Sequence, residues 1–314
     1  MQNILKITLD EGQTQKPWVL LIILAAYVFI SLFVFQIIGI LITLPLFNFD
    51  FGVMMDAIQN PYGNPDAKLP LLITQGATSI GAFIIAPLVF TKKYLNLNFT
   101  EVSEFKQALP LPVLMAAVII FCFMIVNSVL IEWNQGIVLP EWLSGLEKWA
   151  RDFEDRAEAL TKYLTAFDSL FYFLIALIVV AVVPAIGEEL LFRGLIQNLF
   201  HKTLKNAHVA IWVSALLFAL FHFQFYGLVP RMMLGVLFGY LYLWSGNLTL
   251  SMVGHFVNNA FSLSILYLSQ TGSIDMNPEE LESSPPYYVI LLFLAAGIFF
   301  LVLFRRYFLK TTDE

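Results

Sequence analysis

The 314-residue chain has one cysteine, four histidines and only 13% charged residues. The lone Cys122, set inside an apolar run, excludes an intramolecular disulfide framework and a cysteine-based zinc site, and reads as a small core residue. Scarcity of charge excludes a solvated sphere: 59% of the residues are hydrophobic and the mean hydropathy is +0.78, so most of the chain has lipid as its solvent. The net charge of −6 is spread over loops, and no nucleic-acid partner is expected. Met1 to Lys16 is polar and acid-containing, and the apolar run beginning at Trp18 is far too long for a signal-peptide core. It is read as the first permanent span.

What the sequence does hold is a series of apolar windows, near Trp18–Leu44, Pro70–Phe90, Leu111–Ile131, Ser169–Phe200, Val209–Leu228, Met232–Trp244, Leu248–Leu268 and Tyr287–Phe304. The fold expected is all-α, a polytopic membrane helical bundle of about eight transmembrane helices plus one amphipathic interfacial helix. It forms a single membrane domain over residues 1–314, with its motif-bearing core at about 169–268. The fourth window is long for one crossing and holds Pro184 and Gly187, so a bent helix is expected there.

Lys6, Lys16, Lys92, Lys93, Lys106, Lys202, Lys205, Arg305, Arg306 and Lys310 fall on one side if the spans alternate. That side is read as the cytoplasm, with both termini in it. Lys68, Arg231 and the acidic segment Asp275–Glu282 fall on the other. Between the third and fourth windows, Trp142, Leu146, Trp149, Phe153, Ala157, Leu160 and Leu164 recur at three- and four-residue steps among charged positions. This predicts an amphipathic helix opened by Pro140, lying in the interface and packing on the bundle, with a role in substrate entry as the sharper alternative. Gly235 and Gly239 form a small-xxx-small pair for close helix packing.

Ionisable residues inside lipid are costly unless paired or wetted, so each needs a reason to be there. Glu188 and Glu189 lie in Pro184-Ala-Ile-Gly-Glu-Glu-Leu-Leu-Phe-Arg193, His222 closes Phe218-Ala-Leu-Phe-His222, and His255 opens His255-Phe-Val-Asn-Asn259. Helical spacing lets Glu189 pair with Arg193 and turns Glu188 about 100° away, while His255 and Asn259 share a face and Asn258 does not. Counting helical rise from the basic side puts Glu188 and His222 at roughly 20 Å and His255 at roughly 10 Å, so one shared cavity is geometrically possible. No Ser/His/Asp set and no His-Glu-x-x-His motif is evident. A carboxylate with two imidazoles and an amide remains, a layout suited to water activation and oxyanion stabilisation. His201 and His208 flank a polar loop and read as solvated residues.

Glu-Glu-x-x-x-Arg, Phe-x-x-x-His and His-x-x-x-Asn, in that order on successive membrane segments, resemble the CPBP family. That family contains the type II CAAX prenyl proteases and bacterial Abi proteins, and its fold is an eight-helix membrane bundle. The resemblance covers about Ser169 to Leu268. It implies that Glu188 with His222 activates the attacking water, that His255 and Asn259 hold the developing oxyanion, and that Glu189 and Arg193 are supporting residues.

The function expected is that of a metal-independent, glutamate-dependent intramembrane endopeptidase acting on a membrane-anchored protein or hydrophobic peptide, with the lipid bilayer as its other partner and no cofactor. Three alternatives stay open. One is a metallopeptidase using Glu188, His222 and His255 as ligands; the others are a proton-coupled transporter and a non-catalytic immunity or scaffold protein on the same fold. A bacterial cytoplasmic membrane is the expected location.

Overall fold

The structure, a computed structural model, describes residues 16–96, 110–275 and 284–310. Lys6, Lys106 and residues 276–282 of the acidic segment lie outside this range. Among the described residues the chain is helical with no strand. Six helices are long and apolar enough to cross a membrane: α1 (Pro17–Phe47), α3 (Pro65–Leu95), α4 (Pro110–Gln135), α6 (Leu170–Leu204), α8 (Phe225–Ser245) and α10 (Tyr287–Leu309). A short α2 (Phe51–Gln59) follows α1, capped by the Asp50 side chain on the Val53 N–H. The amphipathic α5 (Ser144–Leu164) precedes α6, and α7 (Ala207–Leu220) and α9 (Leu248–Gln270) complete the set.

These helices turn large apolar side chains outward. Phe29, Ile30, Phe33 and Ile37 of α1 and Leu291, Leu292 and Phe299 of α10 are all exposed. A surface of that kind is stable only against hydrocarbon. The chain is an integral membrane protein, an all-α polytopic bundle.

Two of the expected spans differ from the windows. Val209–Leu228 was expected as one crossing, but α7 stops at Leu220 and the chain reverses through 221–224, with Phe223 in the left-handed region at φ 53°. His222 and Gln224 are polar in an otherwise apolar stretch, and the turn lets them leave the lipid-facing helix surface. The next helix therefore starts earlier than Met232, and Pro230 sits near its N-terminus, where the missing N–H is harmless. With 14 residues, α7 is the shortest of the apolar segments. By contrast α9 has 23 residues but stays outside the most hydropathic class, since Ser251, His255, Asn258 and Asn259 interrupt it.

The bent helix expected near Pro184 is a continuous helix that carries two wide turns. Stretches Leu177–Val182 and Leu190–Gln197 are π-helical and flank the α-helical Val183–Glu189 that carries both glutamates. Such bulges free backbone carbonyls for other donors. Ser214 Oγ donates to the Phe192 carbonyl at 2.9 Å, and Asn198 Nδ2 donates to the carbonyls of Arg193 and Gly194 at 2.8 and 3.0 Å.

Glycines set the helix spacing around this segment. On α8, a Cβ at Gly235 would lie 3.1 Å from that of Ala215 and one at Gly239 2.8 Å from Ile211, which seats α8 on α7 as the small-residue pair predicts. A Cβ at Gly187 would come 2.7 Å from the Cβ of Phe83 on α3. Neither atom is the end of a flexible chain, so the helices must move apart. Gly187→Ala is expected to destabilise the protein by about 1–3 kcal/mol in detergent unfolding. A wild-type melting temperature in that variant would show that α3 and α6 are not in rigid contact.

Candidate active site

Glu189 is the hub of the buried polar cluster. Its carboxylate is 0% exposed and accepts on Oε1 from Arg193 Nη1 at 2.7 Å and from His255 Nδ1 at 2.9 Å. The pair with Arg193 follows from the i, i+4 spacing; the bond to His255 links α6 to α9. Arg193 Nη2 donates onward to the Gly235 carbonyl at 2.9 Å, so one guanidinium ties α6 to α8 as well. A charge buried this deeply is stable only with such partners.

With Nδ1 donating to Glu189, the imidazole of His255 has only Nε2 free. That atom faces Glu188, whose Oε2 lies 4.0 Å away and is buried without a hydrogen-bond partner. The gap is too long for a direct hydrogen bond and of the right size for one water molecule held by both atoms. Adjacent carboxylates thus have different circumstances: Glu189 is committed to a cation and a histidine, and Glu188 is not.

Aromatic rings fix the cluster's walls. Phe238 stacks on the His255 ring at 5.1 Å and 13°, and Phe218 meets it edge-on at 6.0 Å. Both rings also cover the Arg193 guanidinium, at 5.3 and 4.6 Å. Phe218 has a second role that accounts for the Phe-x-x-x-His spacing. Its carbonyl pairs with His222 Nδ1 at 2.9 Å, which makes Nδ1 the protonated nitrogen and leaves Nε2 as an acceptor. His222 lies in the turn after α7 rather than on the helix, half-buried, close enough to Glu188, His255 and Arg231 for their charges to act on it.

Asn259 is placed differently from the rest. Its Nδ2 donates to the Val180 carbonyl at 2.9 Å, and its Oδ1 accepts from Asn258 at 3.0 Å. Val180 lies in the π-helical stretch just before Pro184, where wide turns leave carbonyls open to other donors. Asn259 thus ties α9 to this stretch, about 12 Å along α6 from Glu188. The structure brings Glu188, Glu189, Arg193 and His255 together, sets His222 beside them, and holds Asn259 further along the α6/α9 seam. His208 is elsewhere, against the Tyr240 hydroxyl at 2.9 Å.

Sequence reasoning missed three participants. Asn258 orients Asn259. Arg231 enters from the start of α8, although loop counting places it among charges outside the membrane. Helix α5 reaches the site indirectly: Glu154 accepts from the Tyr226 N–H at 2.8 Å and Arg151 lies 4.2 Å over the Tyr226 ring, so the hairpin that carries His222 is clasped from outside. The Leu139 N–H and then the Arg151 guanidinium hold the Glu147 carboxyl on the same face below the usual carboxylate range. Trp142, Leu146, Trp149 and Phe153 do not pack on the bundle; they form an exposed strip beside the packed face, as a helix partly sunk in an interface requires. Among the described residues, no three His, Cys, Asp or Glu side chains are grouped to hold a metal ion, so Glu188, His222 and His255 do not converge as a ligand set.

A family model described as type II CAAX prenyl endopeptidase Rce1-like matches residues 170–261. The resemblance read from the three motifs therefore holds over the residues that carry them. The uncharacterized protein YpbD of Bacillus subtilis (strain 168) is 32% identical over 80 residues, which make up 24% of this chain and 38% of YpbD. The chain thus aligns with well under half of that relative's length. No solved structure matches. The matched segment opens with α6 and ends two residues past Asn259, so it contains all seven motif residues, the His222 hairpin and Arg231. It leaves out α1 to α5 and α10.

Proposed function

We propose that this chain is an intramembrane endopeptidase in which Glu188 activates water to hydrolyse a peptide bond of a membrane-anchored protein or hydrophobic peptide, without a metal. One observation carries the reading: a buried, unpartnered Glu188 oxygen 4.0 Å from the free nitrogen of a histidine whose other nitrogen is locked by a second carboxylate. The Rce1-like match over the same residues supports a protease.

In the reaction, a water between Glu188 and the substrate gives its proton to the Glu188 carboxylate as its oxygen attacks the carbonyl carbon. His222, with Nε2 as acceptor, can share that proton. The tetrahedral oxyanion needs donors. His255 is placed to supply one from Nε2, which needs a hydrogen there as well as on Nδ1, the nitrogen held by Glu189. Asn259 is the other donor that the family resemblance implies, and it reaches the oxyanion only if substrate draws its Nδ2 away from Val180. Glu188 then passes its proton to the departing amine nitrogen, which restores the carboxylate and releases both peptide fragments. Glu189 and Arg193 act through His255 by fixing its ring and tautomer. The cytoplasmic placement of both termini and a bacterial cytoplasmic membrane belong to this proposal, supported by the distribution of Lys and Arg.

The test is cleavage of short membrane-anchored reporter peptides by the purified protein in detergent, wild type beside Glu188→Ala, with and without chelator. Chelator-resistant cleavage that disappears in the variant is expected. Loss of wild-type cleavage on chelation would replace this mechanism with a metallopeptidase, and cleavage that persists in Glu188→Ala would end the glutamate reading.

A further inference from the structure

Two arginines in this part of the bundle are held in opposite ways. Arg193 is fully buried and paired, with a carboxylate on one nitrogen and a carbonyl on the other. Arg231 has one neutral partner: Nη2 donates to Gln224 Oε1 at 2.6 Å. Its Nη1 is shut from solvent with no hydrogen-bond partner. Among the described residues no carboxylate lies within 4.0 Å of it. Glu154 and Glu188 are near enough to act on its charge without touching it.

The position is built rather than incidental. Gln224 belongs to the hairpin that carries His222, so the guanidinium is tied to the candidate active site. Gly227, one turn before Arg231, makes room for it: a Cβ there would fall 1.8 Å from Nη1 and 2.6 Å from Cζ. A guanidinium presents a planar fork of donors matched to a carboxylate, and a donor left unpaired away from water is costly unless a ligand completes it.

We propose that Arg231, oriented by Gln224 and accommodated by Gly227, is a specificity-determining residue that binds a carboxylate of the substrate peptide next to the Glu188 centre. This rests on the peptidase reading of the site. The shared chemistry is a carboxylate, which a peptide can offer at its C-terminus or on an acidic side chain.

The experiment uses the full chain in detergent and a fluorescent, N-acylated hexapeptide in three forms: free C-terminal carboxylate, C-terminal amide, and amide with aspartate at the penultimate position. Binding is read by anisotropy on the Glu188→Gln background, so that it does not depend on turnover, and cleavage is followed in parallel on the otherwise wild-type protein. At least one anionic form is expected to bind about tenfold or more tightly than the neutral amide, the scale of a charge-assisted hydrogen bond. Which form gains identifies the source of the carboxylate. Arg231→Gln is expected to abolish that preference, so that the three forms bind alike. Gly227→Ala, which displaces a flexible side-chain end and keeps the charge, is expected to reduce it, and this guards against a folding defect in the first variant. Equal or absent binding of all three forms, or a preference that survives Arg231→Gln in a protein with the wild-type melting temperature, would overturn the proposal. An anion preference without cleavage would refute the peptidase reading alone, and cleavage without preference would refute the role of Arg231 alone.

Discussion

Replacing Glu188 by glutamine is expected to lower turnover about 10³-fold, the range for removal of a general base, while the protein melts no lower than wild type. The substitution keeps the shape of the side chain and removes its charge. Because Glu188 Oε2 has no hydrogen-bond partner and lies beyond bonding distance from His255, no native pairing is lost. Taking an unpartnered carboxylate out of a buried site relieves desolvation, so stability is expected to stay level or rise. The check is a pair of measurements on one preparation, reporter-peptide turnover and thermal unfolding in detergent. Turnover within tenfold of wild type would remove Glu188 from the chemistry. A lower melting temperature would mean that the carboxylate holds the bundle together.

The neighbouring glutamate should behave in the opposite way. Glu189→Gln leaves Arg193 charged, 1% exposed, and without its carboxylate, and it weakens the bond that holds His255. Breaking a buried pair by removing one partner costs about 3–5 kcal/mol, so a marked fall in stability is expected together with loss of turnover. The double variant Glu189→Gln, Arg193→Met takes out both charges at once and should recover much of the stability, since apolar replacement of a whole buried pair is often neutral. It should not recover turnover, because His255 stays unoriented. Recovery of both properties would show that Glu189 has no part in positioning His255. Unfolding in a detergent titration reads the first property, and the reporter peptides read the second.

The contrast between these two carboxylates is partly legible in the amino-acid sequence. An i, i+4 count pairs Glu189 with Arg193 and turns Glu188 aside, and both statements need only helical geometry. The same count cannot show that His255 chooses Glu189 rather than Glu188, because that choice depends on the rotation of α9 against α6. Asn259 escapes for a similar reason: its partner is the Val180 carbonyl in the π-helical stretch, a backbone group that side-chain motifs do not record. Hydropathy windows locate the apolar segments well, yet run α7 through the hairpin, since averaging hides two polar residues among phenylalanines. Arg231 passes for an ordinary loop cation in consequence, and its tie to Gln224 on the hairpin is not legible. The inward face of α5 is legible only in part: Leu160 and Leu164 pack beside Leu72 and Val179 as expected, whereas Trp149 and Phe153 stay exposed and Ala150, with Glu147, Arg151 and Glu154, faces inward nearer the start.

The brevity of α7 has a bearing on the surrounding membrane. Its 14 residues reach about 21 Å, whereas the hydrocarbon slab is about 30 Å thick. A segment that falls short by several ångströms makes adjacent acyl chains tilt or compress to cover it, and the bilayer dimples at that spot. A depression of that kind would set the polar hairpin at its floor and bring headgroup water down with it. Hydrolysis at Glu188 would draw on solvent brought inward by the shape of the membrane, with no aqueous channel through the protein needed to deliver it.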